Sequence, residues 1–210
     1  MSAEALLIRI LCVDDHPLLR SGITALVDGQ SDMKIVAECS NGRDAIQQFR
    51  AHKPDITLMD LLLPELSGLD AINAIRDEFP EARIIVLTNS TGYVQVLRAL
   101  RAGARAYLLK NLVRKELLDT IRDVHAGKRT LSPELSYELA EHATDDALTK
   151  AEIEVLQLIA AGNANKQVAD RLSITEDTVK GRVKNILAKL GASDRTQAVM
   201  IALKRGFIEV

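Results

Sequence analysis

Residues 56–68 read ITLMDLLLPELSG, an apolar run that stops on Asp60 and continues into a loop shaped by Pro64 and Gly68. Three other runs end in the same way. ILCV at 10–13 stops on Asp14 and Asp15, IIVL at 84–87 on Thr88, and YLL at 107–109 on Lys110. Short apolar runs bounded by turn residues are the pattern of strands buried on both faces. Strands are expected at 8–13, 35–39, 56–60, 84–87 and 106–109, with helix-period segments near 17–28, 42–52, 67–78, 92–102 and 113–126. This alternation predicts an α/β unit, a flavodoxin-like, doubly wound parallel sheet of five strands in the order 2-1-3-4-5.

In such a sheet, ligands bind beyond the carboxyl ends of the strands, where the strand order reverses. Here that point lies between strands 1 and 3. It would bring Asp14, Asp15 and Asp60 side by side, with Thr88 and Lys110 next to them. Crowded carboxylates repel one another unless a cation is present. Hard oxygen donors suit Mg²⁺, which accepts phosphate oxygens as well. Asp60 ends a central strand and is best placed as the nucleophile that forms an aspartyl-phosphate. Lys110 would hold a phosphoryl oxygen as a point charge, and Thr88 would hydrogen-bond the new group. Leu62, two residues after Asp60, offers nothing to orient a hydrolytic water, which predicts a long-lived phosphoryl group.

Beyond residue 126 the chain changes character. Residues 127–147 are charged and small, with Pro133 among them, and read as a linker holding a short helix near 133–142. From Leu148 the pattern is helical throughout, a small all-α four-helix unit. Thr149 and Glu152 form a capping box for the first helix, and Gly162 ends it. Residues 165–172 make a second short helix. Thr175 caps a third that runs to about residue 190, before Gly191, and 196–204 make a fourth. Short helix, tight turn and longer helix is the helix-turn-helix order, whose second helix enters the major groove of DNA. Val179, Val183, Ile186, Leu187 and Leu190 share the apolar face of that helix, while Lys180 and Lys184 lie on another, beside Gly181 and Ala188. The two lysines suit phosphates or guanine edges. Arg182 points elsewhere, toward backbone phosphate or a neighbouring helix.

The bulk properties agree. Apolar residues make up 47% and charged residues 27%, so a folded chain is expected rather than disorder. With three Phe, three Tyr and no Trp, a stacking platform for single strands is not expected. The formal net charge of −2 conceals an asymmetry: residues 148–210 hold ten Lys/Arg against seven Asp/Glu, a net of +3, leaving −5 on residues 1–147. Cys12 and Cys39 lack metal-ligand spacing and read as buried thiols. The opening MSAEALLIRI has no signal-peptide pattern, and no apolar run approaches the ~18 residues of a membrane span, so a cytoplasmic protein without a membrane partner is expected.

V-D-D-H-P at 13–17, M-D-L-L-L-P-x-x-x-G at 59–68, L-T at 87–88 and Y-L-L-K at 107–110 resemble a receiver domain, over residues 6–126. The resemblance implies Mg²⁺ held by Asp14, Asp15 and Asp60. It also implies phosphorylation of Asp60 by a sensor histidine kinase or small phosphodonor, and a switch formed by Thr88 and Tyr107. Residues 148–208 are similar to the LuxR/NarL-type helix-turn-helix domain. The resemblance lies in L-T-x-x-E-x-x-V-L-x-L-I-A at 148–160, G-N-A-N-K-Q-V-A-D-R-L at 162–172, T-V-K at 178–180, V-K-N-I-L-A-K-L at 183–190 and R-T-Q-A-V at 195–199. It implies contacts to double-stranded DNA from Lys180 and Lys184, with Thr178 and Lys166 nearby, and a homodimer when phosphorylated. RNA polymerase is a further candidate partner. Gly181 and Arg182 depart from that family, which more often has a larger side chain and a His there. Together the two halves resemble a NarL/FixJ-type response regulator, a transcription regulator and not an enzyme. An aspartyl-phosphate phosphatase is the rival reading, and it would need an Asp where Leu62 stands. A phosphorylation-independent DNA binder or a protein-interaction module is the other alternative.

Overall fold

The computed structural model describes residues 7–89, 92–131, 136–137 and 148–208. The chain divides into two compact units, one built on a sheet and one helical.

In the first unit the strands are β1 (Ile8–Val13), β2 (Met33–Cys39), β3 (Ile56–Asp60), β4 (Ile84–Thr88), β5 (Ala106–Leu109) and β6 (Thr130–Leu131). The helices are α1 (Pro17–Asp28), α2 (Gly42–His52), α3 (Gly68–Glu78), α4 (Tyr93–Arg101, of which Val96–Arg101 belong to this unit) and α5 (Val113–His125). All pairings are parallel, in the order β2-β1-β3-β4-β5-β6. The five expected strands stand in the expected order, and β6 is an addition. It lies in the segment read as a linker, where it pairs Thr130 with Ala106 and Leu131 with Tyr107 along the outer edge of β5. Two residues carry no period of their own, so only pairing with β5 defines this strand.

Every residue of β3 and β4 is buried, as expected for strands covered by helices on both faces. Ile10, Cys12, Leu58, Ile85, Leu87 and Leu108 from the sheet meet Ile23 and Val27 of α1 and Leu117, Ile121 and Val124 of α5 in one continuous core. Cys12 and Cys39 are both buried thiols. Burial first, and nearby carboxylates second, push each thiol pKa up to about 12.

The second unit contains α6 (Lys150–Ala160), α7 (Asn165–Leu172), α8 (Glu176–Leu190) and α9 (Arg195–Arg205). Helix α8 packs against the other three. Val179, Ile186 and Leu190 are buried on its inner face, while Val183 and Leu187 are only half-buried. The short helix expected near 133–142 lies, apart from Ser136 and Tyr137, outside the described residues. No described helix is long and apolar enough to cross a membrane.

Candidate functional site

The carboxyl ends of β1, β3, β4 and β5 place Asp14, Asp60, Thr88 and Lys110 at one edge of the sheet. Asp14 continues β1, and its N–H donates to the Cys39 carbonyl at 3.1 Å. Asp60 is the last residue of β3 and Thr88 the last of β4. Lys110 opens a short 3-10 turn over Lys110–Leu112 directly after β5. Asp14, Asp60 and Thr88 are at most 1% exposed, whereas the Asp15 side chain is 38% exposed.

Lys110 ties the edge together. Its Nζ donates to Asp60 Oδ2 at 2.7 Å and lies 2.8 Å from Asp14 Oδ2. The second contact is an ion pair rather than an aligned hydrogen bond, so the buried Oδ2 of Asp14 keeps an acceptor direction unused. The other Asp60 oxygen, Oδ1, accepts from the Leu62 N–H at 3.2 Å. Burial pushes the Asp60 carboxyl above its ordinary pKa, and the Asp14 charge adds to this; Lys110 and the Leu62 N–H pull it down without cancelling the rise. Burial pulls the Lys110 ammonium down, but the Asp14 and Asp60 carboxylates outweigh it and hold its pKa above the usual value.

The loop after Asp60 folds back on it. The Gly68 N–H donates to the Leu61 carbonyl at 3.0 Å, and a Cβ at Gly68 would overlap the Asp60 carbonyl oxygen. Ser67 caps the helix that follows, accepting from the Asp70 N–H at 3.1 Å. Beside Asp14, the His16 N–H donates to Asp14 Oδ1 at 2.8 Å, and Arg20 donates to the Asp14 carbonyl. Asp14, Asp15, His16 and Asp60 each bring one donor atom to within 4.8 Å of the others. Two buried carboxylates, a third at the rim and an unused acceptor direction make a donor set that fits a hard divalent cation. Tyr107, on β5 opposite Val86, is buried.

In the helical unit, Thr175 Oγ1 accepts from the Thr178 N–H at 3.2 Å and starts α8; Gly191, at φ 64°, ends it. The turn before it contains Ser173 at φ 54°, and the Ile174 N–H donates to the Ala169 carbonyl at 3.0 Å. Lys166, Thr178, Lys180 and Lys184 are exposed and Arg182 is half-buried. Lys180 Nζ lies 3.2 Å from Asp177 Oδ1 and 3.7 Å from Glu176 Oε1. The Asp177 carboxylate holds the Lys180 ammonium above its usual pKa. A Cβ at Gly181 would meet nothing within 4 Å. The capping box at Thr149 and Glu152 forms in both directions, and Glu152 also takes Lys189 of α8 at 2.8 Å.

Residues 10–122 match the response regulator receiver domain, and residues 146–202 match the bacterial regulatory proteins of the luxR family. The chain belongs to the LuxR-type response regulators. Response regulator protein VraR of Staphylococcus aureus is 37% identical over 207 residues, covering 96% of this chain and 99% of VraR. Among solved structures, the response regulator ChrA of a heme-sensing two-component system is 32% identical, with coverage of 96% and 99% and a TM-score of 0.56. RcsB from Salmonella enterica serovar Typhimurium, solved bound to promoter P1flhDC in the presence of phosphomimetic BeF3-, is 24% identical. It shares the fold at a TM-score of 0.71, over 92% of this chain and 97% of RcsB.

This regulator is thus a two-component response regulator, with a receiver domain joined to a LuxR-type DNA-binding domain. The sheet edge brings Asp14, Asp60 and Lys110 into contact, with Asp15 in the same cluster. Two neighbours of the pocket were not singled out from the sequence. His16 stands inside the V-D-D-H-P stretch itself, so its adjacency was the available signal. Arg20 is one helical turn away at the start of α1, with nothing in the sequence to mark it. On α8, Glu176 and Asp177 beside Lys180 were likewise not anticipated, although the i,i+4 and i,i+3 spacing encodes both pairs.

Proposed function

We propose that phosphorylation of Asp60 controls sequence-specific DNA binding by the helical unit, and through it transcription. The observation that carries the reading is the Lys110 ammonium between the Asp60 and Asp14 carboxylates at a buried sheet edge. Asp60 Oδ attacks the phosphorus of the donor, a sensor histidine kinase or a small acyl phosphate. A P–O bond to Asp60 forms, the bond from phosphorus to the donor breaks, and the leaving group keeps the electron pair. Lys110 follows a phosphoryl oxygen, and the Thr88 hydroxyl donates to another, with Tyr107 on the adjoining strand as the partner of that switch. Asp14, Asp15 and Asp60 would hold Mg²⁺, which when bound neutralises charge on the incoming phosphoryl group. Phosphorylation then biases a pre-existing equilibrium toward the DNA-competent form.

Lys180 and Lys184 would contact base edges and phosphates of double-stranded DNA, with Thr178 and Lys166 beside them and Arg182 on the backbone. We place the receiver domain at 6–126, the linker at 127–147 and the helix-turn-helix domain at 148–208. The phosphorylated form would be a cytoplasmic homodimer on paired half-sites, acting on RNA polymerase and not as an enzyme in its own right.

Label from acetyl phosphate, in the presence of Mg²⁺, is expected on the intact chain and not on Asp60→Ala. Salt-dependent duplex binding is expected to weaken in Lys180→Ala and Lys184→Ala. Label retained by Asp60→Ala, or duplex binding unchanged in both lysine variants, would refute the respective half of the reading.

A further inference from the structure

Three adjacent strands each begin directly after an arginine. Arg83 precedes β4, Arg105 precedes β5 and Arg129 precedes β6. The main chain fixes their places. The Arg105 N–H donates to the Ile84 carbonyl at 2.8 Å, and the Arg105 carbonyl accepts from the Thr130 N–H at 3.1 Å. Pairing of Ala106 with Thr130 sets Arg105 beside Arg129, with the ~4.8 Å spacing of neighbouring strands. Arg98 and Arg101, both exposed, stand one turn apart at the end of α4, and only Ala102–Ala104 separate Arg101 from Arg105. Like charges opposite one another on neighbouring strands destabilise a sheet. Among the described residues, none of these five arginines is in an ion pair. By contrast, Arg50 meets Glu78 at 2.7 Å and Arg122 meets Asp32 at 2.8 Å. Asp123, near Arg129 in the chain, is taken by Lys128 at 2.7 Å. This uncompensated positive edge belongs to the half of the chain, residues 1–147, whose net charge is −5.

We propose that this edge, Arg83, Arg105 and Arg129 with Arg98 and Arg101, binds the phosphate backbone of double-stranded DNA, as a sequence-independent contact in addition to the one from α8. The inference rests on the reading of the chain as a DNA binder. A guanidinium is a planar fork of donors that matches phosphate oxygens. Linkage in one chain raises the local concentration of phosphates for a second contact once the helical unit holds a duplex. A protein partner fits the edge less well. Interfaces between proteins have an apolar core from which charged residues are depleted. The exposed large apolar residues described in this unit, Leu7, Leu18 and Leu62, lie on other elements, before β1, on α1 and after β3.

The full chain is titrated onto a fluorescent duplex of arbitrary sequence, and binding is read by anisotropy over a range of KCl concentrations. The slope of log K against log salt counts released counterions, about 0.9 for each neutralised phosphate. Arg105→Gln/Arg129→Gln is expected to flatten that slope by about 1.8, the value for two such contacts. Arg105→Lys/Arg129→Lys keeps the charge and is expected to keep the slope. Lys34→Gln/Arg43→Gln removes equal charge from exposed positions on β2 and α2 and is expected to leave the slope alone. An unchanged slope in the Gln pair at 105 and 129 overturns the proposal and leaves the edge to an acidic protein. An equal loss in the Lys pair overturns it in favour of a structural role, and an equal loss in the Lys34/Arg43 variant in favour of net charge alone. Lys180→Ala/Lys184→Ala separates the two readings. Duplex binding unchanged there sinks the α8 contact and not the arginine edge, while a parent chain that binds no duplex overturns both.

Discussion

Gly68 and Asp60 are in backbone contact: the Gly68 Cα faces the Asp60 carbonyl so closely that no Cβ fits between them. The loop from Leu61 to Ser67 therefore closes back onto the strand end it leaves, and the Gly68 N–H to Leu61 carbonyl bond seals it. Gly68→Ala must move Asp60 or the start of α3. The variant is expected to lose about 1–3 kcal/mol in urea denaturation, the range for overpacking a filled site, and to take up little label from acetyl phosphate. Gly181→Ala is the control, because its Cβ meets nothing and the helix gains up to ~1 kcal/mol. Equal stability of the two variants would contradict the contact.

Asp60 is held against its own ionisation. Its folded pKa lies above the unfolded value, with burial the first cause. Charging it therefore costs stability, and the cost grows as pH rises from the unfolded pKa of about 3.9 through the raised folded one. Asp60→Asn removes that cost. In metal-free buffer at pH 7 the variant is expected to melt above the parent, with the gap closing toward the acid side, where both states are protonated. Thermal denaturation across pH checks this. A variant less stable than the parent at pH 7 would show that the Lys110 contact outweighs burial.

Glu152 has the opposite sign. Burial raises its pKa, but Lys189 and the Thr149 N–H and hydroxyl lower it further, so the folded value lies below the unfolded one. Its stabilisation is complete above the unfolded pKa, about 4.3, and is lost as pH falls through the folded value. Glu152→Ala removes a helix cap and a mostly buried ion pair that joins α6 to α8, and is expected to cost about 1–3 kcal/mol at pH 7. The deficit should shrink in acid. Chemical denaturation at the two pH values gives both numbers, and a pH-independent deficit would assign the loss to packing.

Leu62 presents a half-exposed side chain beside Asp60 while its N–H occupies Asp60 Oδ1. The backbone contact survives substitution, so Leu62→Asn adds only an amide able to orient water. Phosphate loss from the labelled protein is expected to accelerate. A rate unchanged or slower in Leu62→Asn would remove the side chain from any role in the lifetime.

The strands were legible because four of them end in polar residues after buried runs, a contrast that short apolar segments display strongly. Met33 and Lys34 were missed at the start of β2 because Lys34 is exposed, as an edge strand allows, and this interrupts the apolar pattern. Strand β6 was not legible, since Thr130 and Leu131 become a strand only through Ala106 and Tyr107. At the pocket, residue types revealed Asp14, Asp60 and Lys110. The back-contact of Gly68 on Asp60 and the Arg20 hold on the Asp14 carbonyl depend on how the loop or helix after each strand turns back on the strand end, which residue types do not encode. The caps at Thr149 and Thr175 are local bonds over three residues and were readable in full.

The sheet has two ends, and the chemistry occupies only one. The returns from helix to strand at the other end are pinned by bonds of a different kind: the Arg9 N–H to Asp55, Arg122 to Asp32, and Arg76 to the Ala82 carbonyl. A saturating mutational scan should therefore separate into two populations. Substitutions at these returns would lower the amount of protein in proportion to lost signalling. Conservative substitutions of Asp14 and Asp60 at the carboxyl end would silence signalling at undiminished abundance.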